Sequence, residues 1–163
     1  MVVRTTSRRI VATLAVASWL AGRAAAQDPK TEVLNTAQGL FDAMARRDTA
    51  ALRTLMHPAA GLVAATVVDG KPEPRVSTFG QFVEQIATIP YPPIERMWNA
   101  QVQVSGPIAT IWTQYDFHRG PEFSHCGIDS FQLIKTPAGW QVFSLIYTIV
   151  RDRCPKHPAG PPR

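Results

Sequence analysis

Asp116, His118, His125 and Asp129 are the residues of this chain whose types and spacing suit chemistry. They flank Arg119-Gly120-Pro121-Glu122, a turn between two β-favouring runs, Ile108 to His118 and Phe123 to Lys135. If that turn closes an even loop, Asp116 lies opposite His125, His118 opposite Phe123 and Trp112 opposite Asp129. Asp116 then orients the His125 imidazole as general base, Asp129 serves as acid or hydrogen-bond donor, and Trp112 forms an apolar wall. Such a set suits dehydration, cyclisation or proton transfer on a small hydrophobic molecule, with no cofactor. A plainer reading is a cross-strand polar pair at the wet end of a hairpin. A third has His118, Asp116 and His125 converge on a metal, although a solvated hairpin tip is the commoner use of such residues.

Alternation with period two then places Trp112, Gln114, Asp116, His118, His125, Gly127, Asp129, Phe131 and Leu133 on one face. If the next turn, Thr136-Pro137-Ala138-Gly139, is also even, Val142, Ser144, Ile146 and Thr148 join them. The face is apolar at one end and polar at the other, which is how small-molecule pockets are built. Trp112, Gln114, His118 and Phe131 are its candidate ligand-binding residues. The opposite face, with Ile111, Tyr115, Phe117, Ile128, Ile134, Phe143, Leu145, Tyr147 and Ile149, is too apolar to be left in water. Helices cover only one side of a sheet, so the other is expected to form a homodimer interface. An odd loop or a bulge would swap the faces of one strand relative to its neighbour.

The elements that carry these strands are legible upstream. Asp28-Pro29 opens a helix with Val33, Ala37, Leu40, Phe41 and Met44 on one side, and Asp48 caps a second with Leu52, Leu55 and Met56, stopped by His57-Pro58. Gly61 to Val68 reads as a strand ending in the Asp69-Gly70 turn. Thr78-Phe79-Gly80-Gln81 is a capping box for a third helix carrying Phe82, Val83 and Ile86. Tyr91-Pro92-Pro93 interrupts regular structure, and Met97 to Val104 and Trp140 to Val150 complete four consecutive strands. Helices first and a meander last is an α+β pattern: three N-terminal helices on one face of a strongly curved, mainly antiparallel β-sheet.

The formal charge of +5 suggests a nucleic-acid partner until its location is read. Residues 1–26 hold Arg4, Arg8, Arg9 and Arg23 and no acid, leaving 13 basic against 12 acidic residues, or +1, in the rest. Nucleic acid is therefore not an expected partner. Arg4, Arg8 and Arg9, the apolar stretch Ile10 to Leu20 and Ala24-Ala25-Ala26 compose an export signal cleaved after Ala26, and Arg8-Arg9 also fits the twin-arginine route. The stretch is too short to span a bilayer, so no membrane span is expected after its removal. The expected organisation is a signal peptide at 1–26, one domain at 27–153 and a Pro-rich, disordered tail at 154–163, the mature protein being periplasmic or secreted. In an oxidising compartment Cys126 and Cys154 read as a disulfide, the alternative being two unrelated buried thiols. Neither their spacing nor their neighbours suit a structural zinc.

The order helix, helix, strand, helix and four strands, with Arg46-Arg47-Asp48 between the first helices and Gly139-Trp140 opening the last strand, resembles the nuclear-transport-factor-2-like (NTF2-like) superfamily over about residues 30 to 150. His125-Cys126-Gly127-Ile128-Asp129-Ser130-Phe131 and the closing Cys154 look most like its small exported members. The resemblance implies a cone-shaped fold with a pocket between helices and sheet. It also implies a choice between ligand-binding domains and enzymes such as SnoaL-like cyclases, scytalone dehydratase and ketosteroid isomerase. Laid over the isomerase, Gly127-Ile128-Asp129-Ser130-Phe131 matches the strand that carries its oxyanion-hole acid, at Asp129. The tyrosine donor falls near Leu40 and the base near Ala64, so the isomerase reaction itself is not implied. What remains is a pocket with a neutral Asp129 able to donate a hydrogen bond.

Overall fold

The computed structural model describes residues 27–162; the expected export signal, residues 1–26, lies outside the described residues. Asp28 and Pro29 start α1 (Pro29–Arg46), which buries Val33, Ala37, Leu40, Phe41 and Met44 as their spacing requires. Arg47 ends it in the left-handed region (φ 55°), so the chain reverses at once into α2 (Thr49–Leu55), where the Asp48 side chain accepts a hydrogen bond from the Ala51 amide at 3.0 Å. Thr78 and Gln81 form both halves of the capping box that opens α3 (Phe79–Thr88).

Six strands form one mixed sheet: β1 (Met56–Val68), β2 (Lys71–Thr78), β3 (Pro93–Ser105), β4 (Ile108–Arg119), β5 (Glu122–Thr136) and β6 (Gly139–Thr148), in the spatial order β2-β1-β6-β5-β4-β3. All neighbours are antiparallel except β1 and β6. Asp69 and Gly70 (φ 50° and 75°) make the tight β1–β2 turn, a conformation that glycine adopts without steric cost. β2 departs from the sequence reading, because Pro72, Pro74 and three charged residues argue against a strand. Prolines are tolerated there since β2 is an edge, and its charges shield that edge from further pairing.

Three bulges among the antiparallel pairs, with an irregularity between Met56 and Gly61 where β1 runs beside β6, curve the sheet and decide its faces. One extra residue sits on β5 at Ser124, one on β6 at Phe143 and one on β3 at Asn99-Ala100, where Asn99 has φ 54°. Both hairpin turns close even loops as expected: His118 faces Phe123, and Lys135 faces Trp140. Beyond Ser124, however, the register shifts by one. Asp116 lies opposite Cys126 rather than His125, and Trp112 opposite Ser130 rather than Asp129.

The helices fill the concave side. Phe41 meets Phe131 with ring centroids 5.9 Å apart, among buried Leu40, Met56, Ile111, Leu133 and Val142. Trp140 Nε1 and Lys135 Nζ both donate to the Glu32 carboxylate, at 3.1 and 2.9 Å, pinning α1 across the sheet. Ile111, Tyr115, Phe117, Leu145 and Tyr147, expected on the uncovered face, turn inward. Residues 154–162, expected to be disordered, lie along the outer face. There the Gly160 carbonyl accepts from Arg96 Nη1 at 2.7 Å, and His157 meets the edge of Trp98 at 5.0 Å. The Cys126–Cys154 disulfide, with Cα atoms 5.9 Å apart, ties this tail to β5. Among the described residues no helix is long and apolar enough to cross a membrane.

Candidate functional site

Where β2, α3 and the β4–β5 hairpin meet, the helices do not fill the concave side, and a cavity of about 400 Å³ remains. This is a small-ligand volume. Met44, Leu62, Phe82, Ile86 and Leu145 form its apolar wall. Polar groups come from the sheet, in two cross-strand rows on the concave face. One row is Glu95–Phe117–His125 across β3, β4 and β5. The other is Thr113–Asp129–Tyr147–Ala64–Arg75 across β4, β5, β6, β1 and β2.

Asp129 is fully buried, and neither of its oxygens receives a hydrogen bond from a protein N–H or O–H among the described residues. Its partner is the Glu95 carboxyl, brought over from β3. The two carboxyls act on each other's titration. Burial lifts Asp129 to about 8, with Glu95 pulling slightly the other way. Burial, then the charge and hydrogen bond of Asp129, push Glu95 well above the ordinary range. A buried, unpaired carboxylate is expensive, so the pair holds at least one proton at neutral pH. Glu95 lines the cavity and Asp129 backs it. Tyr115 and Tyr147 stand beside the pair, both pushed up by burial first and then by Glu95 and Asp129. The Tyr115 hydroxyl is already committed, donating to the Thr148 carbonyl at 2.6 Å.

His125 lines the same cavity, stacked on Phe117 at 4.8 Å and edge-on to Tyr115 at 5.8 Å. Its Nδ1 lies 3.0 Å from the Ser124 hydroxyl. Burial, followed by the charges of Arg151 and Arg119, lowers its pKa to about 4, so the imidazole is neutral. A neutral imidazole and a carboxyl pushed well above its ordinary range, Glu95, thus border one space.

Asp129, His125 and Phe131 lie on the concave side, where His125 lines the cavity while Phe131, a candidate ligand contact, packs on Phe41 in the core instead; Asp116, His118, Gln114 and Trp112 lie on the other side. The Ser124 bulge sends these four to the outer face. Asp116 forms a two-pronged ion pair with Arg96, with Nε to Oδ1 at 2.9 Å, and its Oδ2 lies 3.2 Å from His118 Nε2. Burial alone would raise the Asp116 carboxyl, but hydrogen bonds from Arg96 and His118 outweigh it and hold it below its ordinary value. The tail covers this cluster, leaving a second cavity of about 380 Å³ beneath it. Trp112 is 54% exposed on that face, and Gln114 bonds Asn99 at 3.2 Å. Asp116 is thus not the partner of His125, and His118, Asp116 and His125 do not converge on a metal. Among the described residues no group of three His, Cys, Asp or Glu side chains is arranged to hold one.

Glu95 escaped the sequence reading because it follows Tyr91-Pro92-Pro93 and precedes the strand start expected at Met97. The available signal was an acid between Ile94 and Met97, placed to face Phe117 by alternation once the strand begins at Pro93.

No family model and no curated protein matches the sequence. Solved structures do match by shape. An NTF2-like protein from Cytophaga hutchinsonii superposes with a TM-score of 0.64 at 9% identity, over 76% of this chain and 99% of that one. An NTF2-like protein of unknown function from Silicibacter pomeroyi gives 0.58 at 19% identity, over 74% and 94%. A proposed dehydratase of the NTF2-like family from Streptomyces avermitilis gives 0.56 at 20%, over 76% and 99%. At these identities the likeness establishes the fold: the chain is built as an NTF2-like cone.

Proposed function

We propose that this NTF2-like cone binds a small, mostly apolar molecule and recognises an oxygen of that molecule through the proton shared by Glu95 and Asp129. The observation that carries the reading is that carboxyl pair, facing a cavity of about 400 Å³ whose other wall is apolar. A protonated carboxyl donates to a carbonyl or hydroxyl where a carboxylate would only accept. The protein acts outside the cytoplasm, as residues 1–26 and the disulfide suggest. It pairs with a second copy through the outer face, where Trp112, Phe143 and Ile146 are 54, 39 and 45% exposed.

A second reading rests on His125. Its neutral imidazole and the neutral acid border the same cavity, the separation of protonation states that proton transfer requires. With a substrate seated between them, His125 removes a proton and Glu95, held by Asp129, donates one to the developing oxyanion. This is cofactor-free isomerisation or dehydration, without Asp116. Ala64, where the isomerase resemblance puts a base, lines the cavity without a proton acceptor, so any base is His125.

Native mass spectrometry of the chain recovered from an exporting cell tests the binding reading. It is expected to show a mass beginning at Gln27, a dimer and a retained small molecule. A chain that neither retains a molecule nor takes one up from a panel of apolar carbonyl compounds contradicts it. Turnover of such a compound that is lost in His125→Gln and Glu95→Gln favours the second reading over simple binding.

A further inference from the structure

Three arginines converge on the mouth of the same cavity from three parts of the sheet. Arg75 ends the cross-strand row that contains Asp129 and Tyr147. Arg119 closes β4, with its guanidinium over the Tyr91 ring at 5.6 Å, a stacking that leaves the N–H edges free. Arg151 follows β6 two residues after cavity-lining Ile149 and so points the same way. Among the described residues none of the three has a carboxylate within 4 Å. The one acid lining the cavity is Glu95, whose proton is shared with Asp129. Beyond residue 26 the chain is nearly balanced, 13 basic against 12 acidic residues, yet this concavity gathers three uncompensated cations. A concave, partly apolar site focuses such a field outward and raises the local concentration of anions.

We infer that, if the pocket binds a small molecule as proposed above, that molecule is an amphiphilic organic anion. Its apolar body lies on Phe82, Ile86 and Leu145. Its carbonyl or hydroxyl meets Glu95, and a carboxylate, sulfonate or phosphate at the other end is held by Arg119 and Arg151, with Arg75 across the mouth. The cavity is thus graded, from neutral donor at the floor through apolar wall to cationic rim, and a ligand graded the same way leaves no group unpaired. A neutral ligand of the same body fills the wall but leaves the guanidinium groups without a partner.

Two fluorescent probes with one ring system separate this from the binding reading itself. 1-Anilinonaphthalene-8-sulfonate carries a sulfonate, and N-phenyl-1-naphthylamine does not. Titrated into the purified, disulfide-bonded chain at low salt, the sulfonate is expected to bind at least about tenfold tighter, the scale of a charge-assisted hydrogen bond. That ratio falls toward one as salt approaches roughly 1 M, where charges are screened within about 3 Å. Arg119→Gln with Arg151→Gln brings the ratio of the two affinities toward one by weakening the sulfonate, and near-UV circular dichroism checks that the variant is folded. Equal binding of the two probes overturns the anion inference and leaves the pocket reading standing. A sulfonate preference that survives both substitutions and Arg75→Gln also overturns it, by placing the site elsewhere. Failure of both probes to bind contradicts the pocket reading and this inference together.

Discussion

Glu95 and Asp129 sit on strands β3 and β5, separated by β4, and yet their carboxyls act on each other beside Tyr115, both pushed above the ordinary range by burial. Their partners on β4 are Phe117 and Thr113, both on the concave face. The pair costs folding energy whenever it must ionise, which fixes the sign of several effects.

The first is the pH dependence of stability. Asp129 has a folded pKa of about 8 against an ordinary 3.8, so the folded state holds more protons than the unfolded state between those values and stability falls as pH rises through them. His125, lowered from 6.5 to about 4, acts in the opposite sense, adding stability as pH rises between 4 and 6.5. The two oppose each other below pH 6.5, and above it the carboxyl pair acts alone. Urea midpoints are therefore expected to decline between pH 6.5 and 9. Asp129→Asn with Glu95→Gln, which keeps shape and neutrality, removes that decline, whereas His125→Gln leaves it in place. A wild-type midpoint that is flat or rising over this range contradicts the assignment.

Asp116 makes a contrasting prediction. Its carboxylate is held by Arg96 and His118 beneath the tail, so Asp116→Ala leaves buried partners unsatisfied and costs about 1.5–3 kcal/mol. Affinity for probes of the inner cavity stays unchanged, because Asp116 lies on the far side of the sheet. A loss of probe affinity without a loss of stability would reverse that reading.

Reduction of Cys126–Cys154, which spans 28 residues, is expected to lower stability by about 2–4 kcal/mol and release the tail. Amide exchange checks this: faster exchange beyond Cys154, with the α1 and β5 cores protected, is the expected pattern.

Gly127 is the position where the sheet tolerates no side chain. A Cβ there would stand 2.1 Å from the Thr148 carbonyl oxygen and 2.8 Å from the Tyr115 ring. Gly127→Ala must displace backbone, at a cost of at least about 1–3 kcal/mol, measurable by thermal unfolding.

Much of the cone was readable because its cues are local. Asp48, the Thr78–Gln81 box, Asp69-Gly70 and Gly139 each specify their element within a few residues. The faces were less readable because register accumulates. A single extra residue at Ser124 leaves the hairpin turn as expected, yet moves Asp116, Gln114 and Trp112 to the opposite side of the sheet from His125 and Asp129. β2 was hidden by its prolines, which only an edge strand accepts. Glu95 was hidden because its importance comes from Asp129, 34 positions away in sequence and two strands away in space. Asp129 itself was found, by alternation and by resemblance to the isomerase strand.

Infrared titration of the carboxyl stretches reads the proton we assign to Glu95, on the cavity wall, and Asp129. At pH 6.5 the wild-type spectrum, less that of the Glu95→Gln/Asp129→Asn variant, is expected to show a protonated carboxyl C=O band. The band should disappear only as pH passes about 8, and it should shift when an apolar carbonyl ligand is added. A difference spectrum showing two ordinary carboxylates at pH 6.5, unmoved by ligand, would rule out a shared proton.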